Sequence, residues 1–258
     1  MSTDERPATV MMSPGAAARR RTPRSDEGLT LHEQPLMTDY LGRSGRHRNV
    51  GSSSPEAFLV EFPPHGTVGA HFHSCNQFQV FLPAAGVTYQ RTPVDTVVVH
   101  YADAYTTYGP FATKDLPLSY LTLRGVSSTL TAYMPGSRHL LRRRGRRNLH
   151  RALPDEALPD VGVSCIDLIA PDDDSLCCTA VSMAPHSSFE LHDCPPTSGG
   201  RYLYVVRGAV GIGADSHPAG AIGWSDPGAP AVTTTASTEG AVVLVMQLPG
   251  ELESEEQQ

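Results

Sequence analysis

The sequence predicts an all-β protein built as two barrels or sandwiches in tandem, and three observations carry that expectation. Apolar residues fall in short runs, turn formers separate the runs, and the runs repeat in order. The first set is AFLVEF (57–62), QFQVFL (77–82), TVVVHY (96–101) and LSYLTLR (118–124). The second is CTAVSM (178–183), RYLYVV (201–206) and AVVLVM (241–246). Each run is rich in β-branched or aromatic residues, as half-buried strands are. The 23 glycines and 22 prolines favour many turns over long helices.

The two sets align. Pro64 and His65 recur as Pro185 and His186, 121 positions later, and His71 recurs as His192 at the same spacing. At that spacing His73 falls on Cys194. The aromatic strand that follows closes on Gly86 in one set and Gly208 in the other, 122 apart. Matching residues in matching order imply an internal duplication.

Residues 1–28 are polar and rich in Ser, Pro and Arg, which predicts a disordered tail. A first barrel is expected over 29–135, an arginine-rich linker over 136–159, a second barrel over 160–249 and an acidic tail over 250–258. The net charge of −7 argues against nucleic acid as a partner. Basic charge gathers in RHLLRRRGRRNLHR (138–151), read as a solvated connection between acidic domains, with an anion or RNA patch as the alternative. Five cysteines without metal-knuckle or framework spacing predict reduced thiols inside a cell. The arginines near the N-terminus precede no apolar signal core, and no run approaches the ~18 apolar residues of a membrane helix. A cytoplasmic protein with no membrane partner is expected.

Chemistry concentrates in GAHFHSCNQFQVF (69–81). Alternate residues of a strand share a face, so His71 and His73 point one way and Phe72 the other. After a turn at Ser74–Asn76, Gln77 and Gln79 again share a face. A barrel interior holding imidazoles and amides in place of leucine is a pocket or a metal site.

PPHGTVGAHFHSCNQFQVFLPAAG (63–86) resembles the first motif of the cupin superfamily, in which His-x-His is followed by three or four residues, a glutamate, and a strand ending in glycine. Here the pattern runs His71, His73, Gln77. The counterpart of the second cupin motif is VVVHYADAYTTYGPF (97–111), where Tyr108 falls near the expected histidine and His100 lies eight residues before it. The second half, APHSSFELHDCPPTSGGRYLYVVRG (184–208), keeps the outline, with Arg201 at the carboxylate position. PAVTTTAS (230–237) has no second-motif histidine. The resemblance covers 50–135 and 160–249, as a bicupin with a degenerate second half.

It implies two jelly-roll (double-stranded β-helix) barrels and one divalent metal, with Fe(II) first and Mn, Ni or Zn as alternatives. The implied ligands are His71, His73, Gln77 and His100. Tyr108 and Gln79 are the candidate catalytic residues, Tyr108 as a phenolate ligand or as an acid or base beside the metal. The implied activity is that of a metal-dependent oxygenase acting on a small organic molecule in secondary metabolism. A metal-assisted isomerase, lyase or cyclase and a metal-free ligand-binding bicupin are the alternatives. Phe78, Phe81, Tyr105 and Tyr108 are the expected aromatic lining; for assembly, a homodimer through sheet edges and internal pairing of the two fused barrels are both open. Gln77 keeps an oxygen donor where the family has a carboxylate but removes one negative charge, so metal affinity should fall.

Overall fold

The computed structural model describes residues 9–17, 21–23, 36–41, 55–89, 92–128, 130–142, 147–155 and 157–250. The chain divides into two units, Met12–Ala157 and Leu158–Gln258 with Met1–Met11.

The first unit is a barrel built on a seven-stranded antiparallel sheet. Its strands run in the order Asn148–Ala152, Val98–Ala102, Gln77–Phe81, Leu118–Arg124, Glu56–Phe62, Leu36–Leu41, Arg21–Pro23. His71–His73 pairs separately with Thr131–Tyr133, placing His73 opposite Thr131 and His71 opposite Tyr133. Strand alternation gives the sheet an inner face that can be read in rows. One row is apolar: Val60, Tyr120, Phe81, Val98, Ala152. The next mixes in polar groups: Phe58, Thr122, Gln79, His100, His150. The last is Glu56, Arg124, Gln77, Ala102, Asn148. The core therefore grades from hydrocarbon at one end to charge at the other. The apolar end gathers Phe62, Phe81, Val87, Tyr89, Phe111 and Leu118, and burial of such side chains supplies most of the favourable free energy.

The second unit repeats the plan with strands in the order Thr9–Met12, Ile222–Ser225, Arg201–Ile212, Val232–Gln247, Cys177–Met183, Val163–Ile169. Its inner face carries Val181, Met183, Leu203, Val205, Val243 and Val245. The duplication is visible in backbone angles. His65 and His186 are exposed and hold left-handed conformations, φ 58° and 60°. Gly86 and Gly208 do the same at 74° and 72°. A left-handed histidine is uncommon enough that its recurrence at equivalent turns marks a copied turn.

Two expectations need correction. Within the N-terminal stretch expected to be disordered, Thr9–Met12 is a strand at the edge of the second unit's sheet, beside Ile222–Ser225, and Thr9 Oγ1 lies 3.0 Å from Ser225 Oγ. The apolar TVMM within a polar stretch supplies the strand. The arginine-rich segment is not merely a connection either. Asn148–Ala152 pairs with Val98–Ala102, Arg147 bonds Asp103 at 3.0 Å, and the Arg142 guanidinium stacks 4.3 Å from the Tyr105 ring centre. The alternating half of that run (NLHRA) has the two-residue period of a strand, which the arginine count conceals. The acidic tail after Gly250 lies outside the described residues. No helix among the described residues is long and apolar enough to cross a membrane.

Candidate functional site

His71 and His73 are buried on one face of their short strand, ring centres 5.3 Å apart and nearly perpendicular. Both are held from behind. His71 Nδ1–H donates to the Gly69 carbonyl at 2.8 Å, and His73 Nδ1–H to the Leu130 carbonyl at 2.9 Å. A carbonyl only accepts, so the proton sits on Nδ1 and the neutral ring carries its lone pair on Nε2. Backbone carbonyls thus set the tautomer that metal ligation through Nε2 requires. Phe72 points the opposite way and packs on Tyr105.

Tyr108 stands against this pair. Its backbone bridges to His71, and its ring centre lies 4.5 Å from His71, 6.2 Å from His73 and 5.0 Å from His100. Burial pushes its pKa well above that of an ordinary phenol, with the nearby Arg124 charge pulling the other way. Without a metal beside it, Tyr108 is therefore a neutral phenol at neutral pH. Its oxygen accepts a hydrogen bond from Gln77 Nε2, so the bond uses a lone pair and keeps the hydroxyl proton.

Gln77 lies on the inner face as expected, but its oxygen is turned away from the histidines. Arg124 Nε donates to Gln77 Oε1 at 3.1 Å. An arginine cannot accept, so the amide orientation is fixed, with oxygen to Arg124 and nitrogen to Tyr108. Amides ligate metals through oxygen, and this oxygen already faces a cation. Arg124 in turn pairs with Glu56 at 3.2 Å, both side chains almost fully buried, and Ser127 donates to the other Glu56 oxygen at 2.9 Å. Gln77 thus bridges charge and phenol.

His100 is fully buried one row deeper and differs in the same sense from its expected role as a third nitrogen ligand. Asn148 donates to the Thr107 carbonyl at 3.3 Å, which turns Asn148 Oδ1 to His100 Nε2–H at 3.0 Å. Nδ1 lies 2.9 Å from the Gln79 amide oxygen and 3.4 Å from the Tyr89 hydroxyl. Burial drives its pKa down to about 3, opposed by the Asn148 bond and assisted by His150 and His71. With Nε2–H directed to Asn148, the Nδ1 lone pair needs a donor, which is the Tyr89 hydroxyl or the Gln79 amide turned end for end. Gln79 therefore orients His100. Of the expected aromatic lining, Phe81 and Tyr108 are inside; Phe78 has the opposite parity and packs on Tyr101, and Tyr105 covers Phe72.

The donor set fits a metal in part. Two imidazole nitrogens suit a borderline divalent ion. Among the described residues, no group of three or more His, Cys, Asp or Glu side chains is placed to hold one. Among the described residues, His71 and His73 are thus the nitrogen donors that stand together here. In the second unit the corresponding pair separates: Cys194 is buried, whereas His192 is exposed and lies beyond the end of its strand.

The residues that sequence reasoning missed are Glu56, Arg124 and Asn148. Their signal was parity. In LSYLTLR, Arg124 shares a face with Leu118, Tyr120 and Thr122, and Glu56 opens a strand whose alternate residues are core.

No protein-family profile matches the chain, and no curated protein matches it. Solved structures do. A putative dioxygenase from Nostoc punctiforme superposes with a TM-score of 0.65 at 10% identity, over 99% of this chain and 88% of that one. The pirin YhhW of Escherichia coli, in complex with nickel(II), gives 0.54 at 12% identity over 94% and 99%. A salicylate 1,2-dioxygenase from Pseudaminobacter salicylatoxidans gives 0.54 at 10% identity over 96% and 86%. At such identities the likeness speaks for fold. The fold is the one that the sequence resemblance implied, two jelly-roll barrels in tandem.

Proposed function

We propose that the first barrel is a small-molecule site that holds one divalent metal on His71 and His73, and that the protein is a metal-dependent cupin enzyme. The observation that carries this reading is the pair of buried imidazoles with both Nδ1–H groups tied to carbonyls, so that both Nε2 lone pairs belong to one face. The dioxygenases and the nickel-bound pirin of like fold make oxygen-dependent oxidation with iron the reaction class to test first. A two-nitrogen metal with several open positions supplies Lewis acidity and room for an organic ligand and oxygen together.

The chain's own residues do the rest. Tyr108, a neutral phenol steadied by Gln77, donates its proton towards charge developing on a bound molecule. Arg124 and Glu56 cancel one another and fix Gln77.

A second reading, a metal-free ligand-binding barrel, is favoured by one specific feature: the Gln77 oxygen is taken by Arg124. Metal analysis separates the two. Protein reconstituted anaerobically with ferrous iron should carry close to one equivalent, lost in the His71→Ala, His73→Ala double variant, and should then be screened for oxygen uptake. Wild-type protein that retains no metal after reconstitution supports the ligand-binding reading and ends the enzyme one.

A further inference from the structure

The second barrel has a polar row of its own, and it corresponds to that of the first strand by strand. Glu56–Phe62 matches Cys177–Met183, Leu118–Arg124 matches the end of Val232–Gln247, Gln77–Phe81 matches the start of Arg201–Ile212, and Val98–Ala102 matches Ile222–Ser225. The first row reads Glu56, Arg124, Gln77, Ala102. The second reads Cys177, Gln247, Arg201, Ser225. Arginine and glutamine have changed places, and the glutamate that neutralises the first arginine has become a cysteine.

Arg201 consequently lacks what Arg124 has. It shares the inner face with Leu203 and Val205, and its residue is only 4% exposed. Among the described residues its side chain makes one hydrogen bond, from Nη2 to the His192 carbonyl at 2.7 Å, and its buried Nε–H has no acceptor. Asp193, the nearest carboxylate in the sequence, directs Oδ1 to the Ala231 N–H at 2.7 Å. Cys194 donates its thiol to the Ser225 carbonyl at 3.9 Å. Burial pulls the Arg201 pKa down, with Cys194, Cys177 and Asp193 acting the other way. A guanidinium nonetheless stays charged near neutrality, and a buried charge with an orphaned donor calls for an anion. Cys177 beside it is half-buried, and His192, whose carbonyl it bonds, and Asp193 are exposed, so the row lies near the surface.

We propose that Arg201 anchors a binding site in the second barrel for a small organic monocarboxylate. One fixed positive charge matches one negative charge, whereas a dianion would bring surplus charge to an apolar floor of Leu203, Val205, Val243 and Val245. A carboxylate also suits the planar donors of a guanidinium. The site does not depend on the reading of the first barrel.

The test uses the intact, EDTA-treated chain titrated with benzoate, acetate and inorganic phosphate, followed by calorimetry and by fluorescence. Trp224, the sole tryptophan, is a cross-strand neighbour of Tyr202, with ring centres 4.6 Å apart, and sits beside Ser225. It therefore reports on this barrel. Benzoate should bind saturably at one equivalent, more tightly than phosphate, and Arg201→Gln should weaken it at least tenfold. Cys177→Glu keeps Arg201 but installs the carboxylate that the first barrel has at Glu56. It should abolish benzoate binding and raise the melting temperature, which separates loss of ligand from loss of fold. His71→Ala should leave the titration unchanged. No saturable response in the wild type, phosphate binding as tight as benzoate, or an unchanged affinity in Arg201→Gln and Cys177→Glu overturns the proposal.

Discussion

Replacing Glu56 by glutamine isolates the energetic consequence of the first barrel's charged row. Glu56 and Arg124 are 2% and 3% exposed in their side chains, and their closest N···O distance is 3.2 Å. Glutamine keeps the shape and one acceptor oxygen but leaves the guanidinium uncompensated away from water. Breaking a buried pair in this way costs about 3–5 kcal/mol, and the retained acceptor puts this case near the lower value. For a barrel of this size, each kcal/mol lowers the melting temperature by about 2–4 °C, so a drop of roughly 6–12 °C is expected. Differential scanning calorimetry measures it. Adding Arg124→Met to Glu56→Gln removes the stranded charge and should recover most of the loss, because a buried ion pair and a well-packed apolar pair are often close in free energy. A loss below about 1 kcal/mol, or a double variant no better than the single one, would refute the idea that Glu56 is there to neutralise Arg124.

Tyr108→Phe leaves the buried Gln77 amide nitrogen without its acceptor and should cost about 1–3 kcal/mol in urea unfolding. His100 should give the protein an acid-sensitive step. Its pKa is about 3 when folded against 6.5 unfolded, so its contribution is full above pH 6.5 and is lost as pH falls towards 3, because only the unfolded chain takes up the proton in that window. The upper limit is about 4–5 kcal/mol, and His100→Gln should flatten the acid limb of a stability–pH curve. Gln77→Glu returns a negative charge beside the histidine pair and should raise metal retention after dialysis about tenfold or more. No increase would mean that Arg124 captures the new carboxylate.

The fold was largely legible because strand runs, turn formers and the 121-residue offset are local features of the chain, and alternation assigns faces without any knowledge of partners. His71 and His73 were legible for the same reason, since three residues of one strand settle which way both rings point. What stayed hidden depends on pairing between distant strands. Gln77 reads as a ligand until Arg124, 47 residues later, is known to hold its oxygen. His100 reads as a spare nitrogen until Asn148, 48 residues later, is known to take its N–H. The strand carrying Asn148 and His150 was obscured by arginines that set the composition of that segment but not its period. TVMM was likewise averaged into a polar tail, though four residues are enough to complete a sheet edge when a partner is waiting.

The two barrels share an arginine and a glutamine in corresponding rows and arrive at different electrostatics. In the first, Glu56 and Arg124 sum to zero, so a divalent ion on His71 and His73 would have no protein charge to neutralise it, and a bound anion becomes part of what makes the metal site stable. In the second, the same kind of row without its glutamate is a net cation and needs no metal to attract an anion. If both proposals hold, a carboxylate-bearing molecule suits both interiors, in one barrel as charge around a metal and in the other as the partner of Arg201. Loss of the second barrel's histidine pair to His192 and Cys194 is therefore not by itself loss of binding. The difference between the rows lies at the position of Glu56, where Cys177 supplies no counter-charge to the arginine.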